Sequence, residues 1–411
     1  GNLMAVGDDA QSIYSFRGAD HQNIMDFPKR FKGTKLIKLE ENYRSTPQIL
    51  QVANNLLKQA NFKFDKELYS NNKEGELPAL VQSSSEHNQS RFITQAVLQL
   101  REQGMELNEM SVLFRNGRDS FDLEVELNRK NIPFVKYGGQ KFTEAAHIKD
   151  VLAHVRVLVN PMDTIAWNRT LMLLDGIGPK TAQDLFEWIR LAKNPYKLNL
   201  SGTTSKSYID QLKELSKLLV DIKENDRSVS KVIELIVGYY RNFCKSRYDD
   251  YPKRLKDLEA FINVSESFTS LPKMLEELAL DPITATAVDT EQKTKEEVPL
   301  ILSTIHSAKG LEWKHVFIIQ CLDGIIPSAY SVEDEEQLDE ELRLLYVAAT
   351  RAEEMLYFSY PVLAQSPYGD YFTQPSRFIK EMNKKLVEEW KLIEEEQQQQ
   401  LNEKEQKQLL D

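Results

Sequence analysis

The chain has 411 residues, enough for two or three domains and a sizeable core, and its 41% hydrophobic and 28% charged content is ordinary for a globular protein. No apolar run approaches membrane-spanning length, and residues 1–18 lack the basic start and long apolar run of a signal peptide. A net charge of −11 argues against a general nucleic-acid binder, yet Ser331 to Glu341 and the chain's end carry much of the acid, which leaves room for a basic or aromatic groove elsewhere. Cys244 and Cys321 cannot form a disulfide framework, so a reducing, cytoplasmic setting fits best. The six histidines show no metal spacing. His147 and His154 could share a helix face, but isolated pairs of this kind are usually structural, and no metal site is expected.

Asn2 to Val6 reads as a buried strand running straight into the polar GDDAQS. With no helix or cap before it, the chain is expected to be the carboxyl-terminal part of a longer protein. Gly7 to Asp20 sets Gln11 beside Asp8 and Asp9, followed by Tyr14, Phe16 and Arg17. Exposed aromatics next to a cation can stack on nucleic-acid bases, while the plainer alternative makes them core. Leu36 to Leu39 predicts another strand, ending in EENYRSTP, and Ser45 or Thr46 before Pro47 is a strong helix start. Ile49, Leu50, Val52, Ala53, Leu56 and Leu57 mark its buried side. Tyr43 and Arg44 thus sit where a strand hands over to a helix, a good place for a stacking ring and a phosphate-binding guanidinium. A surface salt bridge is the alternative for Arg44.

After a loop at Asn71 to Gly75, strands at Ala79–Gln82, Ser111–Arg115 and Pro133–Val135 alternate with helices at Asn88–Gln103 and Ser120–Asn131, which implies a parallel sheet with covered faces. From Thr143 the texture turns helical: Ile148, Val151, Leu152, Val155, Leu158 and Val159 recur at helical spacing as far as Pro161. Helix and loop then run to about Lys295, with a polar loop at Asn194–Ser207 and a charged linker at Glu291–Glu297. Within this stretch, Gly176-Ile177-Gly178-Pro179-Lys180-Thr181 lacks the GxxxxGK[ST] spacing of a phosphate loop. It is either a plain glycine turn or a helix start whose amides meet a DNA phosphate.

Strand texture resumes at Val298–Leu302. His306, Ser307, Lys309 and Gly310 break it before a second apolar run, Val316–Ile319. Polar groups at the carboxyl end of a buried parallel strand are where open α/β sheets bind ligands, although a solvated turn has the same texture. Asp334 to Arg351 predicts a helix with Leu342, Leu345, Tyr346 and Ala349 on one side, and Met355–Tyr360 a last strand. Phe378, Met382, Leu386, Trp390 and Ile393 repeat at helical spacing, and the Glu/Gln-rich tail beyond Glu394 is expected to be disordered.

Four separated stretches, GDDAQSIYSFRGA, LEENYRST, STIHSAKGLEW and ELRLLYVAATRAEE, resemble in order motifs III to VI of the UvrD/Rep/PcrA-type superfamily I DNA helicases. VLFRNGRDSFDLEVEL, YGGQKFTEAAHIKDVLAHVRVLVNP and GIGPKT resemble the same family between the motifs, so the likeness covers nearly all of the chain except the tail. It implies an α/β fold, a RecA-like (P-loop NTPase-type) parallel sheet domain with a large inserted helical domain. The implied divisions are 1–33, a remnant of the first RecA-like domain; 34–142 and 299–364, the two parts of the second; 143–298, the inserted helical subdomain; and 365–411, helical and then a tail.

By resemblance, Gln11 senses the γ-phosphate, and Arg44 and Arg351 reach that phosphate from the second RecA-like domain. Tyr43 packs on adenine and Glu312 lies near the ribose. Phe16 stacks on a single-stranded base with Arg17 beside it, His306 and Lys309 couple the nucleotide to the DNA groove, and Gly178 and Lys180 contact DNA from the insert. Ala10 stands where a third aspartate is common, Ser15 where glycine is frequent and Trp313 where phenylalanine is frequent; none of these removes a chemical role. The serious departure is that the sequence has no Walker A lysine and no Walker B acidic pair, the groups that cradle phosphate and hold Mg²⁺. The expectation is therefore the carboxyl-terminal region of an ATP-dependent helicase that moves 3′ to 5′ on single-stranded DNA and acts at single/double-strand junctions. ATP and Mg²⁺ would bind only once the missing half of the first RecA-like domain is present. A helicase subunit of a helicase–nuclease, or a silent DNA- or protein-binding module, are the alternatives.

Overall fold

A computed structural model describes residues 3–15, 22–61, 63, 66–138, 141–198, 208–279, 298–364 and 371–392. Phe16, Arg17, the linker Glu291–Glu297, most of the polar loop before Ser207, and the tail beyond Glu394 lie outside the described residues. The chain divides into two compact units, residues 1–139 with 282–364 and 370–411, and residues 140–281 with 365–369.

Among the described residues the first unit is built on eight strands: β1 (Ala79–Ser85), β2 (Met110–Phe114), β3 (Phe134–Tyr137), β4 (Leu300–Thr304), β5 (Trp313–Ile318), β6 (Ala352–Ala364), β7 (Tyr371–Phe372) and β8 (Glu388–Lys391). Their order is β3-β4-β2-β5-β6-β1-β8 with every neighbour parallel, while β7 pairs antiparallel with β6. Alternating side chains explain how both faces are covered. Val316 and Ile318 join one core with Ile49, Leu56, Leu345 and Ala349. Phe317 and Ile319 join the other with Ile93, Val97, Leu123 and Leu127. The fold class is thus α/β with a predominantly parallel sheet flanked by helices.

Two single-turn helices, α1 (Gln22–Met25) and α2 (Phe27–Arg30), precede α3 (Pro47–Lys58), whose Pro47 follows an extended Thr46 as a proline at a first helical turn should. Then come α4 (Glu86–Glu102) and α5 (Phe121–Arg129). The second unit is helical: α6 (Ala146–Val159), α7 (Thr164–Leu171), α8 (Pro179–Leu191), α9 (Ile209–Glu224), α10 (Val229–Arg247), α11 (Tyr251–Ser265) and α12 (Leu271–Ala279). Its buried polar anchor is Asp150, which accepts hydrogen bonds from Arg169 Nε (2.6 Å) and Tyr240 Oη (2.5 Å), so one carboxylate ties α6 to α7 and α10. His147 and His154 are both buried in α6, and among the described residues no cluster of His, Cys, Asp or Glu could hold a metal ion. The first unit is completed by α13 (Glu335–Ala349) and α14 (Arg377–Lys380). No helix of the described residues is long and apolar enough to cross a membrane.

Three expectations from the sequence are corrected. Residues 3–6 and 36–39 form no strand, because no sheet neighbour pairs with either among the described residues; Met4 and Leu39 are more than 80% exposed. The apolar repeat from Phe378 does not make one helix. After α14 the chain turns through Lys384–Leu386 into β8, where Trp390 pairs with Val81. Parallel pairing to the edge of β1 outweighs the helical spacing of these apolar residues.

His315, on β5, is held neutral: burial, with Lys314 beside it, pushes its pKa down to about 4. The unfolded chain takes up that proton near pH 6.5, so the stability contributed by the neutral ring is complete above that pH and is lost on acidification toward pH 4. Urea unfolding between pH 7 and 4.5 should show a weaker acid-side loss for His315→Gln than for the wild type; parallel curves would remove His315 from this role.

Candidate functional site

The carboxyl end of β4 turns through Ile305 to Glu312. Ser307 N and Ala308 N both donate to Thr304 O (3.0 Å), and Ser307 N also reaches Thr304 Oγ1. Gly310 lies at φ +91°, a conformation in which a side chain would be strained. At the end of β3, Gly138 (φ +77°) runs so close that a Cβ there would collide with the hydroxyls of Thr304 and Ser307. This turn presents Lys309 and His306 to the segment Asp8–Tyr14. Lys309 Nζ donates to Gln11 O (2.7 Å) and lies 5.1 Å from the centre of the Tyr14 ring, and Tyr14 Oη donates to His306 O (2.8 Å).

Gln11 belongs to a short 3₁₀ turn, Asp9–Gln11, and its amide donates to Asp8 Oδ2 (2.6 Å). Lys66 pairs with both Asp8 and Asp9, at 2.8 Å to the latter. Burial opposes the ammonium charge, but the two facing carboxylates outweigh it and hold the Lys66 pKa above its ordinary value. From α13, the buried Arg343 donates through Nε to Ser12 O (2.9 Å), and burial lowers its pKa. Lys66 carried no signal in the sequence. Arg343 lay inside a recognised motif, but only the fold gives it a partner.

A second cluster forms where β5 and β6 begin. Ser45 Oγ donates to Ala352 O (2.6 Å) and Thr46 N to Glu353 O (3.0 Å), which docks the turn before α3 against the start of β6. Arg44 therefore arrives beside Thr350: its Nη1 donates to Thr350 O (3.3 Å) and its Nε to the carboxylate of Glu312. Arg351 is 2% exposed and has only neutral partners among its hydrogen bonds: Val347 O (3.0 Å), Leu311 O (3.1 Å) and Thr350 Oγ1 (3.1 Å). Burial first, and the Arg44 charge second, push its pKa down to about 10, so it remains cationic at neutral pH. Tyr43 leaves its ring 77% exposed, with Oη donating to Glu41 (2.8 Å).

The fold thus brings Gln11, His306 and Lys309 into one cluster and Arg44, Glu312 and Arg351 into another on the same unit, with Tyr43 adjacent in the chain to the second. Gly178 and Lys180 belong to the helical unit, at the exposed start of α8, and Phe16 and Arg17 lie outside the described residues.

Comparison with known proteins matches this architecture to one family. Residues 37–362 fit the model of the UvrD-like helicase C-terminal domain, and residues 1–32 that of the UvrD/REP helicase N-terminal domain. The chain belongs to the UvrD-like helicase family. It is 32% identical over 411 aligned residues to the ATP-dependent DNA helicase PcrA of Leuconostoc citreum, covering 94% of this chain and 54% of that protein. It is 29% identical over 406 residues to PcrA of Staphylococcus epidermidis, covering 94% and 55%. The chain spans about half the length of these relatives. A solved C-terminal domain of a possible DNA helicase from Lactobacillus plantarum WCFS1 aligns over 85% of this chain and 98% of that one, at 9% identity and a TM-score of 0.34.

Lys66→Ala should remove the cation that pairs with the buried Asp9, which is 5% exposed, and with Asp8. Removing one member of a buried pair costs about 3–5 kcal/mol, and the partial exposure of Asp8 brings the expected loss down to about 2–3 kcal/mol. Chemical denaturation measures it; a loss under about 0.5 kcal/mol would show that the Asp8–Gln11 turn is held by other contacts.

Proposed function

We propose that this chain is the carboxyl-terminal region of an ATP-dependent DNA helicase that translocates on single-stranded DNA, 3′ to 5′ by resemblance, and unwinds duplex at single/double-strand junctions. The observation that carries this reading is the convergence of two guanidiniums, Arg44 and Arg351, on Thr350, with Arg351 buried and bonded only to neutral oxygens. Like charges brought together without a carboxylate on the buried member suit an incoming polyanion.

On this reading Arg44 and Arg351 stabilise charge developing on the γ-phosphoryl group, and Gln11 senses that group. The exposed Tyr43 ring offers a stacking face to adenine, and Glu312 lies beside the nucleotide. The described residues suit the phosphate and base of ATP but not its Mg²⁺: Asp8 and Asp9 are taken up by Lys66, and no described cluster could hold a metal. The metal ligands and the phosphate cradle would come from the rest of the first RecA-like domain. The exposure of Leu3, Met4, Val6, Leu36, Ile37 and Leu39, which have no sheet partner among the described residues, supports such a neighbour. His306 and Lys309, with Phe16 and Arg17, would face single-stranded DNA, and the start of α8 at Gly178 and Lys180 would contact DNA phosphates.

The chain alone should show no significant ATP hydrolysis. Joined to an upstream segment carrying a GxxxxGK[ST] loop, it should hydrolyse ATP when single-stranded DNA is added. In that longer protein, Arg351→Ala should lower kcat by about 10³-fold or more, with a much smaller change in nucleotide affinity. Steady-state hydrolysis at saturating ATP decides both points. Robust turnover by the chain alone would refute the division of labour, and wild-type turnover by Arg351→Ala would refute its role.

A further inference from the structure

Phe92, Ala96 and Leu100 follow one another at four-residue spacing along α4, so they share one face of that helix, and each is only partly buried against the sheet. Trp390 on β8 is half-buried beside them, edge-on to Phe92 (ring centres 6.3 Å apart) and to Tyr357 (6.0 Å). With Met105 and Met355 they line a groove of about 850 Å³. It stays open for a topological reason: β8 is the edge strand of the sheet, and among the described residues no helix follows it. Scattered half-exposed apolar residues are ordinary on a protein surface; a continuous apolar groove marks an interaction site. The groove lies on the sheet face covered by α4, whereas Ile49 of α3 and Leu345 of α13 belong to the core of the other face. It is therefore separate from Arg44 and Arg351, which α3 and α13 position.

The lining runs from Glu109, just before β2, through Lys314 on β5 and Glu354 on β6, to Glu76, before β1, and Trp390 on β8. It thus crosses neighbouring strands from β2 to β8, about 4.8 Å apart, and is roughly 19 Å long. Spread over that length, 850 Å³ gives a cross-section of about 45 Å². An extended peptide, about 4.8 Å by 10 Å in section, matches it, while an α-helix about 10–12 Å across is too wide. The charge is equally selective. Three carboxylates line the groove against one ammonium: Lys314 Nζ sits 2.5 Å from Glu109 Oε1, and the exposed Glu76 and Glu354 form no ion pair among the described residues. Burial keeps the His315 ring neutral, so it adds no cation. Gln95, Gln99 and Gln103 line the α4 side with amides that both donate and accept, as a peptide backbone requires. The Glu/Gln-rich end of this chain carries the wrong charge to fill the groove.

From this shape and charge we propose that the groove docks an extended basic segment of a partner protein, about six residues long, in which apolar side chains alternate with lysine or arginine. Successive side chains of an extended segment point to opposite sides, so one set meets Trp390 and the α4 face while the other reaches Glu76 and Glu354. The test measures binding of the 411-residue chain to three fluorescein-labelled hexapeptides by anisotropy at one fixed salt concentration: alternating leucine and lysine, alternating serine and lysine, and alternating leucine and glutamate. The leucine–lysine peptide should bind saturably, the serine–lysine peptide about tenfold more weakly, and the leucine–glutamate peptide not at all. Glu76→Gln with Glu354→Gln should weaken the leucine–lysine peptide about tenfold without changing the melting temperature. Glu333→Gln with Glu335→Gln, which removes the same charge from exposed positions outside the groove, should leave binding unchanged. No saturable binding of the leucine–lysine peptide up to about 1 mM overturns the proposal. Equal binding of the two lysine peptides, or equal losses in the two double variants, overturns it as well, by showing only attraction to an acidic chain.

Discussion

The seating of β4 between β3 and β2 is the constraint on which the site depends. β4 pairs with β3 through Val135 and Ile301 and with β2 through Val112 and Leu302, so both of its edges are hydrogen-bonded. The strand is reached only after the chain has left the sheet at Gly138 and built the helical unit. A parallel strand in a central slot satisfies its backbone and buries both faces only when its neighbours are already in register. Once β4 is in, the Thr304–Glu312 turn emerges on the same edge as Arg115, and the close approach at Gly138 leaves it little freedom. The positions of His306, Lys309 and Glu312 all follow from this one pairing.

The excess acid of the chain also changes meaning in the fold. Read along the sequence, Ser331 to Glu341 is simply a negative run. In the structure Asp334 caps α13, Asp339 accepts from Asn61 N, Glu340 accepts from Ser15 N, and Glu341 grips Arg115. Glu340 and Glu341 are struts that hold Ser15 and the Ser328 loop onto α13, and Arg115 offsets the charge of Glu341. Asp8 and Asp9 are likewise occupied by Lys66. A net charge of −11 is therefore a poor guide to the local field where Lys66 faces Asp8 and Asp9 and Arg115 faces Glu341.

The legible parts of the sequence were those in which local chemistry and long-range pairing agree. Val316 to Ile319 is apolar on both faces, as a buried parallel strand must be, and Thr46-Pro47 starts a helix wherever the chain goes next. Leu36 to Leu39 was misleading because strand propensity says nothing of a partner. The Phe378–Trp390 repeat was misleading because the edge of β1 offered Trp390 hydrogen bonds that a helical spacing cannot reveal. Lys66 and Arg343 were silent for a related reason: a lone cation in sequence is a solvated surface residue until the fold shows which carbonyl or carboxylate it faces. Thr350 carried no signal either, although its carbonyl and hydroxyl bring Arg44 and Arg351 together.

The two clusters are joined by only a few residues of chain, and that shortness has a physical consequence on the proposed reading. Lys309 holds Gln11 O, Leu311 O accepts from Arg351, and Glu312 neutralises Arg44. An anion arriving at Thr350 competes with Glu312 for Arg44, and with the Leu311 carbonyl for Arg351. A multiply charged phosphate wins the first contest, since the Glu312 side chain is half exposed and water can take over its solvation. It wins the second because a phosphate oxygen carries a charge opposite to that of the guanidinium, whereas the Leu311 carbonyl is neutral. Both losses fall on the segment Leu311–Glu312, one and two residues beyond the left-handed Gly310. The turn is pinned at Thr304 by the sheet, and its Leu311–Glu312 end, where the partners would be exchanged, lies beside Lys309 in the chain. Coupling between the phosphate end and the single-strand edge therefore needs no long pathway. It needs only that one turn be held at its strand end and exchange partners at the other.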